Sequence, residues 1–325
     1  MTSPLRVYTD TRFAADALEL LRTGIAPHEL VQPERAESSV LAKSAPDPLL
    51  STVDVAFGQP DVGSVLASER LRWVQVSSAG YTRYDTPEFR TAAAARGVAL
   101  TNSSTVYAEA CAEHVFAFML AQARRLPLAL STRTPSGTPE WFGIRYTSPM
   151  LLGQRAVILG YGAIAVRLVE MLAPFKMNVV AFRRRARGDE TVPVVTREGL
   201  PAALAEADHV INILPDNTES AGFVSVELLA AMKPGAVFYN IGRGTTVDQD
   251  ALVAALRSGR LDSAWLDVTE PEPLPEGHPL LGLPNCFITP HTAGGHRQEQ
   301  HTLVRHFLAN FQRYLAGEPL LDRLF

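Results

Sequence analysis

The chain has 325 residues, more than one ordinary domain needs and enough for two that each bury a core. Its formal charge of −4 excludes the broad positive field of a protein that works by neutralising phosphate backbones, so nucleic acid is not an expected partner. No run approaches the ~18 uninterrupted apolar residues of a membrane span, and the opening MTSPLRVYTD has no apolar leader, so a cytoplasmic protein without a membrane partner is expected.

Short β-rich runs alternate with helical patterns from the start, which favours parallel α/β layers. LRVYTD, VDVAFG, WVQVSS and VALTN predict a small first sheet of four strands, separated by Ala- and Leu-rich segments such as DALELLRTG. Glu109 to Leu126 reads as a long helix apolar around most of its girth, followed by the polar segment STRTPSGTPEW. RAVILG, NVVAF, HVINIL, AVFYNI, SAWLDV and CFITP, with PVVT as a short edge strand, are the near-continuous apolar runs of a sheet covered on both faces. From His291 the chain reads as helical and ends in the amphipathic LVRHFLANFQRYLAG, expected to pack back on the first domain. The fold class is therefore α/β, with two Rossmann-like or flavodoxin-like domains built on doubly wound parallel sheets and a cleft between them. Residues 1–101 with 291–325 are assigned to a substrate-binding domain and 102–290 to a dinucleotide-binding Rossmann domain.

In AVILGYGAIAVRLVEML a strand, a glycine turn and a helix follow one another directly. Gly160 permits the turn, Gly162 lets backbone approach a pyrophosphate, and the amides around Tyr161, Ala163 and Ile164 open the helix as an anion site. Ala165 stands in the third glycine position, where it still allows helix to pack on strand. The next strand, NVVAF, runs into Arg183, Arg184 and Arg185. A carboxylate there would accept from the adenosine ribose, whereas a guanidinium binds a 2′-phosphate with paired, charge-assisted hydrogen bonds. Asp189 lies well beyond the strand, so NADP(H) is favoured over NAD(H), with Arg183 and Arg184 as contacts.

Three later loops, NIGRGTTVD, DVTEPEPLPEGHPL and TPHTAGG, all follow strands of the second sheet and open on its ligand-binding edge. Reduction of a 2-oxo acid needs a cation for the carboxylate and carbonyl, and a group able to exchange a proton near neutral pH. Arg243 suits the first task and His291 the second, with Glu272 as the candidate partner of the imidazole and Glu270 its competitor on spacing. Cys111 and Cys286 belong to no metal or disulfide pattern, and His296, His301 and His306 recur every five residues, which spreads them round a helix. No metal is expected.

The ordered series VSSAGYTRYD, ACAEHVFAFMLAQARRLP, ILGYGAIA, LPDNTES, LLAAMKPGAVFYNIGRG, LDVTEPEPLPEGHPL and TPHTAGG resembles the D-isomer-specific 2-hydroxyacid dehydrogenases over nearly the whole chain. The resemblance implies that Arg243 binds substrate, that Glu272 and not Glu270 pairs with the histidine, and that His291 is the acid/base. It implies that the backbone amides of Ser78, Ala79 and Gly80, in the loop from Ser77, hold the substrate carboxylate. It further implies that Asp267 lies near the nicotinamide and that Leu214, Pro215, Ile241, Gly242 and Gly294 line the cofactor with Arg243 and His291. The activity so implied is NAD(P)H-dependent reduction of a small 2-oxo acid to the D-2-hydroxy acid. Glyoxylate and hydroxypyruvate are the first candidates, because many NADP-preferring relatives use them. Formate is not expected, since formate dehydrogenases of this fold carry Gln where this chain has Glu272. In relatives the helix matching 109–126 helps form a dimer, so a homodimer is expected. A non-catalytic alternative also stems from the resemblance: corepressors of this fold bind dinucleotide as a conformational ligand.

Overall fold

The structure is a computed structural model that describes residues 3–34 and 45–325. The chain divides into two compact units, Met1–Tyr107 with His296–Phe325, and Ala108–Gly295, where the sequence suggested breaks at 102 and 291.

The first unit begins with β1 (Arg6–Thr9), α1 (Ala15–Gly24), β2 (Glu29–Val31), β3 (Val55–Gly58), α2 (Val62–Ala67), β4 (Trp73–Val76), α3 (Pro87–Arg96) and β5 (Ala99–Thr101). All pairings are parallel and the strand order is β2-β1-β3-β4-β5, the flavodoxin-like arrangement. The expected four strands are thus five. The extra strand, β2, has the sequence ELV at the sheet edge with a single buried residue, so it carries no apolar run for a pattern search to find.

Three helices follow: α4 (Ser104–Ala123), α5 (Leu126–Thr132) and α6 (Pro139–Thr147). The long apolar helix therefore starts five residues before Glu109 and stops at Ala123, because Arg125 takes a left-handed φ of 50° and Pro127 opens the next helix. α6 takes up the end of the segment read as polar and irregular; its start is capped by Thr138, which accepts from the Trp141 amide, with Pro139 in the first turn.

The second sheet is assembled from β6 (Arg155–Leu159), α7 (Ala163–Leu172), β7 (Asn178–Phe182), β8 (Val194–Val195), α8 (Leu200–Glu206), β9 (His209–Asn212), α9 (Val226–Ala231), β10 (Ala236–Asn240), α10 (Gln249–Arg257), β11 (Leu261–Leu266) and β12 (Cys286–Ile288). Its order, β12-β11-β10-β9-β6-β7-β8, contains all seven expected strands. Consecutive connections run outward from β6 through β7 to β8, then restart at β9 on its other side. The order reverses between β6 and β9, and the carboxyl ends of those two strands flank the crevice in which open α/β sheets bind ligands.

The final helix, α11 (Glu299–Ala316), returns to the first unit. Phe307 stacks on Phe57 at 4.4 Å and on Trp73 at 5.3 Å, all three fully buried, and the Ala14 amide donates to Gln300 at 2.7 Å. Residues 291–298 were expected to be helical and are turns and extended backbone instead, held by loop contacts described below. Beyond α11 the chain end runs antiparallel along β5: the Leu324 amide donates to the Leu100 carbonyl at 2.9 Å, and the Leu100 amide to the Phe325 carbonyl at 3.1 Å. Among the described residues no helix is long and apolar enough to cross a membrane.

Candidate active site

The phosphate loop sits at the carboxyl end of β6. Gly160 has φ +100°, a conformation that side chains rarely adopt, and it places the following residues at the start of α7. Helices α2, α3, α6, α9 and α10 each have a side-chain N-cap, but α7 starts at Gly162 with no side-chain cap and no acidic residue in its first turn. Its first amides therefore have no side-chain acceptor, which suits them to an anion. Ala165 is fully buried, where it lets α7 lie close on the sheet.

Across the reversal of strand order, the loops after β9 and β10 are fastened to each other by a buried amide pair. Asn212 Nδ2 donates to Asn240 Oδ1 at 3.0 Å and to Thr246 Oγ1 at 2.7 Å, while Asn240 Oδ1 also accepts from the Gly242 amide and its Nδ2 donates to the Arg243 carbonyl, both at 3.1 Å. Neither side chain is more than 1% exposed. A Cβ on Gly242 would lie 2.7 Å from the Leu214 carbonyl oxygen, and one on Gly244 would lie 2.0 Å from that of Thr269. Arg243 is therefore threaded between two positions where backbone passes against backbone. Leu214 and Ile241 are buried beside it, Pro215 is exposed, and Thr245 Oγ1 donates to Asp216 at 2.8 Å to close the pair of loops. Among the described residues Arg243 makes no ion pair; its Nη1 donates to the Gly242 carbonyl at 2.7 Å. Asn212, Asn240 and Thr246 were not singled out from sequence, although the Asn ending each of the neighbouring runs HVIN and AVFYN is a visible signal.

His291 holds Glu272 at 2.6 Å from Nδ1 to Oε1, and both side chains are partly exposed. Glu270, the competitor on spacing, instead has its backbone held by Gln249, which accepts from its amide at 3.0 Å and donates to its carbonyl. His291 takes a left-handed φ of 52°, unusual for a residue with a side chain, and the loop that imposes it is organised by Asp267. This carboxylate, 2% exposed, accepts from Thr289 Oγ1 at 2.6 Å and from the Thr292 and Ala293 amides at 2.9 Å, while its carbonyl accepts from the His291 amide at 2.9 Å. Asp267, expected beside the nicotinamide, thus spends both oxygens on the loop that ends in Gly294 and Gly295. Behind it, His114 on α4 approaches Thr289 Oγ1 at 3.2 Å and Asp267 at 3.7 Å. Because the Thr289 hydroxyl already donates to Asp267, His114 is the donor to it through Nε2–H. Burial depresses the His114 pKa, which suits a neutral ring.

Arg183 is where the sequence reading needs correction. Asp189 and Glu190 do not stay away from the strand: the chain reverses around Gly188, at φ +83°, and brings both onto the guanidinium. Arg183 Nη1 lies 2.8 Å from Asp189 and 2.5 Å from Glu190. Glu190 also accepts from the Arg187 and Gly188 amides at 2.9 Å, and these bonds with Arg183 hold its carboxyl at about 2. Arg184 is paired with Glu219, and Arg185 and Arg187 are exposed. Tyr161 of the phosphate loop lies 5.5 Å beneath Arg183 and shares a 2.7 Å hydrogen bond with Thr191.

In the first unit, the loop after β4 has all three carbonyls of Ser78, Ala79 and Gly80 satisfied, by the Ser103 amide at 3.1 Å, Asn102 Nδ2 at 2.7 Å and Ser78 Oγ at 2.5 Å. Gln59 orients the loop by donating to Ser77 Oγ at 3.1 Å and Ser78 Oγ at 2.9 Å. Among the described residues no hydrogen bond engages the three amides, which suits them to a carboxylate. Trp141 packs edge-on against Phe142 with Arg145 over its ring. His301 pairs with Asp16 and His306 with Asp322, and no cluster of three His, Cys, Asp or Glu among the described residues could hold a metal ion. Burial pushes the Cys286 thiol up to about 12, which leaves it unreactive.

These features agree with what the chain resembles. The family model described as D-isomer specific 2-hydroxyacid dehydrogenase, NAD binding domain, matches residues 116–293. Over 282 residues the chain is 32% identical to glyoxylate/hydroxypyruvate reductase B of Pectobacterium carotovorum, covering 83% of this chain and 85% of that one. It is 31% identical over 231 residues to human glyoxylate reductase/hydroxypyruvate reductase, covering 70% of each. Among solved structures, the NADPH-dependent glyoxylate/hydroxypyruvate reductase of Sinorhizobium meliloti, in complex with NADP and malonate, superposes with a TM-score of 0.74 at 26% identity, over 99% of this chain and 97% of that one. The chain belongs to the D-isomer specific 2-hydroxyacid dehydrogenase family. It is an NAD(P)-dependent D-2-hydroxyacid dehydrogenase.

Proposed function

We propose that the protein is a cytoplasmic, homodimeric reductase that uses NADPH to convert a small 2-oxo acid, glyoxylate or hydroxypyruvate, to the 2-hydroxy acid. The observation that carries the reading is the 2.6 Å contact of His291 Nδ1 with Glu272, in the same unit as an Arg243 that no carboxylate neutralises among the described residues. The relatives that reduce glyoxylate and hydroxypyruvate, one of them with NADPH, support the substrate and cofactor.

The residues present fit a dinucleotide: uncapped amides at the start of α7 suit its diphosphate, the Leu214 and Gly242 loops flank the crevice between β6 and β9, and Arg183 stands at the end of the neighbouring strand. When bound, the nicotinamide supplies the hydride. Arg243 binds the substrate carboxylate and polarises the carbonyl; in the first unit the Ser78–Gly80 amides are suited to a carboxylate. Glu272 accepts from Nδ1–H of His291, which leaves Nε2 to face the carbonyl oxygen. The protonated ring gives its Nε2 proton to that oxygen as the alcohol forms and recovers one from solvent; in oxidation it takes the proton back. The exposed apolar side chains Leu128, Leu130, Tyr146, Met150 and Leu152 support association of two chains.

The test is turnover of 2-oxo acids by His291→Asn and Arg243→Ala. Asparagine tolerates the left-handed backbone at 291, so the first variant keeps the loop while removing the proton donor. It is expected to lose about 10²–10⁴-fold in kcat. Arg243→Ala is expected to raise KM as well as lower kcat, and wild-type turnover by either variant overturns the assignment.

A further inference from the structure

Arg183 was read from sequence as a cation waiting for a phosphate, but it already holds an anion. Glu190 receives three donors, the Arg183 guanidinium and the Arg187 and Gly188 amides, and its side chain is 5% exposed. Asp189 adds a second carboxylate on the same guanidinium nitrogen, with 65% of its side chain exposed. One guanidinium thus faces two carboxylates. A phosphate dianion approaching Arg183 would meet net negative charge and find the cation's inward nitrogen taken. The donor set is what a phosphate uses: a guanidinium together with consecutive backbone amides in a tight turn. The turn is also docked on the phosphate loop, since Thr191, next to Glu190, is hydrogen-bonded to Tyr161 through both its hydroxyl at 2.7 Å and its amide at 3.2 Å.

We propose that Glu190 is an internal substitute for the 2′-phosphate of NADP(H): it occupies the anion seat made by Arg183 and the 187–188 amides, and a 2′-phosphate binds there by displacing it. Glu190 thereby sets how far the enzyme distinguishes NADP(H) from NAD(H), which has no competing phosphate and leaves the carboxylate seated. Asp189, exposed and held by a single partner, swings into solvent and contributes less. The inference rests on the reading that Arg183 meets the adenosine ribose.

The experiment is fluorescence titration of the purified full-length enzyme with NADPH and with NADH, for the wild type, Glu190→Gln, Glu190→Ala, Asp189→Asn and Arg183→Ala. Loss of the competing charge in Glu190→Gln is expected to lower the Kd for NADPH about ten-fold, the worth of one charge-assisted bond, with NADH unchanged within about two-fold. Glu190→Ala should move the same way and Asp189→Asn less. If both Glu190 variants leave NADPH binding unchanged or weaken it while Arg183→Ala also weakens it, the competition is disproved and the role of Arg183 stands. If Arg183→Ala does not affect NADPH binding, the reading of Arg183 itself fails. Weaker NADH binding by Glu190→Gln would mean that the carboxylate holds ribose hydroxyls, which overturns the proposal.

Discussion

His291 is held in two ways that have different energetic origins. Its left-handed backbone costs on the order of 1 kcal/mol, offset by the hydrogen bonds that Asp267 makes around it. Its ring is held by Glu272 at 2.6 Å from Nδ1. In the mechanism proposed above Glu272 acts through the imidazole it contacts, as a positioning and charge-stabilising group. Glu272→Gln should therefore lower kcat by about 10- to 100-fold through the imidazolium it no longer steadies, with little change in KM for the 2-oxo acid. A variant with unchanged kcat, measured at saturating cofactor, would remove Glu272 from the mechanism. Spacing left two glutamates as candidates for this contact; in the fold it is the Glu272 side chain that lies 2.6 Å from His291 Nδ1.

The strands of the second sheet were readable because burial on both faces leaves unbroken apolar runs, and even the two-residue β8 stood out in PVVT. The chemistry-bearing loops were readable too, since each follows such a run. What the sequence hid depends on contacts between segments far apart. β2 is too short and exposed to carry a pattern, and the reversal at Gly188 that returns Glu190 to Arg183 is a turn whose direction no periodicity encodes. The Asn212–Asn240 pair likewise joins two loops that are separate in the chain. The tightest of these junctions lies at Gly244, packed on the backbone of Thr269 and Glu270. Gly244→Ala must push the Arg243 loop away from the loop that bears Glu272. We expect a destabilisation of about 1–3 kcal/mol and a loss of about 10²-fold in kcat/KM, measured by denaturant unfolding and steady-state kinetics. Normal activity in this variant would show that the two loops need not be in register.

Each unit buries an ionisable group whose charge the fold opposes, and the two have opposite pH signatures. In the first unit burial raises Asp10 from 3.8 to about 6, so its native state holds the proton more tightly than the unfolded chain does. Stability is fully present below about 4 and declines by roughly 3 kcal/mol as pH rises through 6. In the second unit burial between Tyr239 and Gln154 lowers His209 from 6.5 to about 4. Its contribution is present above about 6.5 and declines by a similar roughly 3 kcal/mol as pH falls through 4. Denaturation followed at pH 4, 5, 6 and 7 should show Asp10→Asn removing a fall in stability, and His209→Gln a rise, as pH increases across this one window; parallel curves for wild type and variants would contradict both shifts. The strand-like pairing of residues 322–325 along β5 bears on synthesis rather than on equilibrium. The first unit is completed by α11 and by this closing segment, both translated after every residue of the second. On the ribosome the second unit, contiguous in the chain, has its full set of strands while the first still lacks the helix that covers Phe57 and Trp73 and the segment that seals β5. The nascent first sheet therefore carries an open edge and an uncovered aromatic face for as long as the second unit takes to be made, which is the interval in which a chaperone has something to bind.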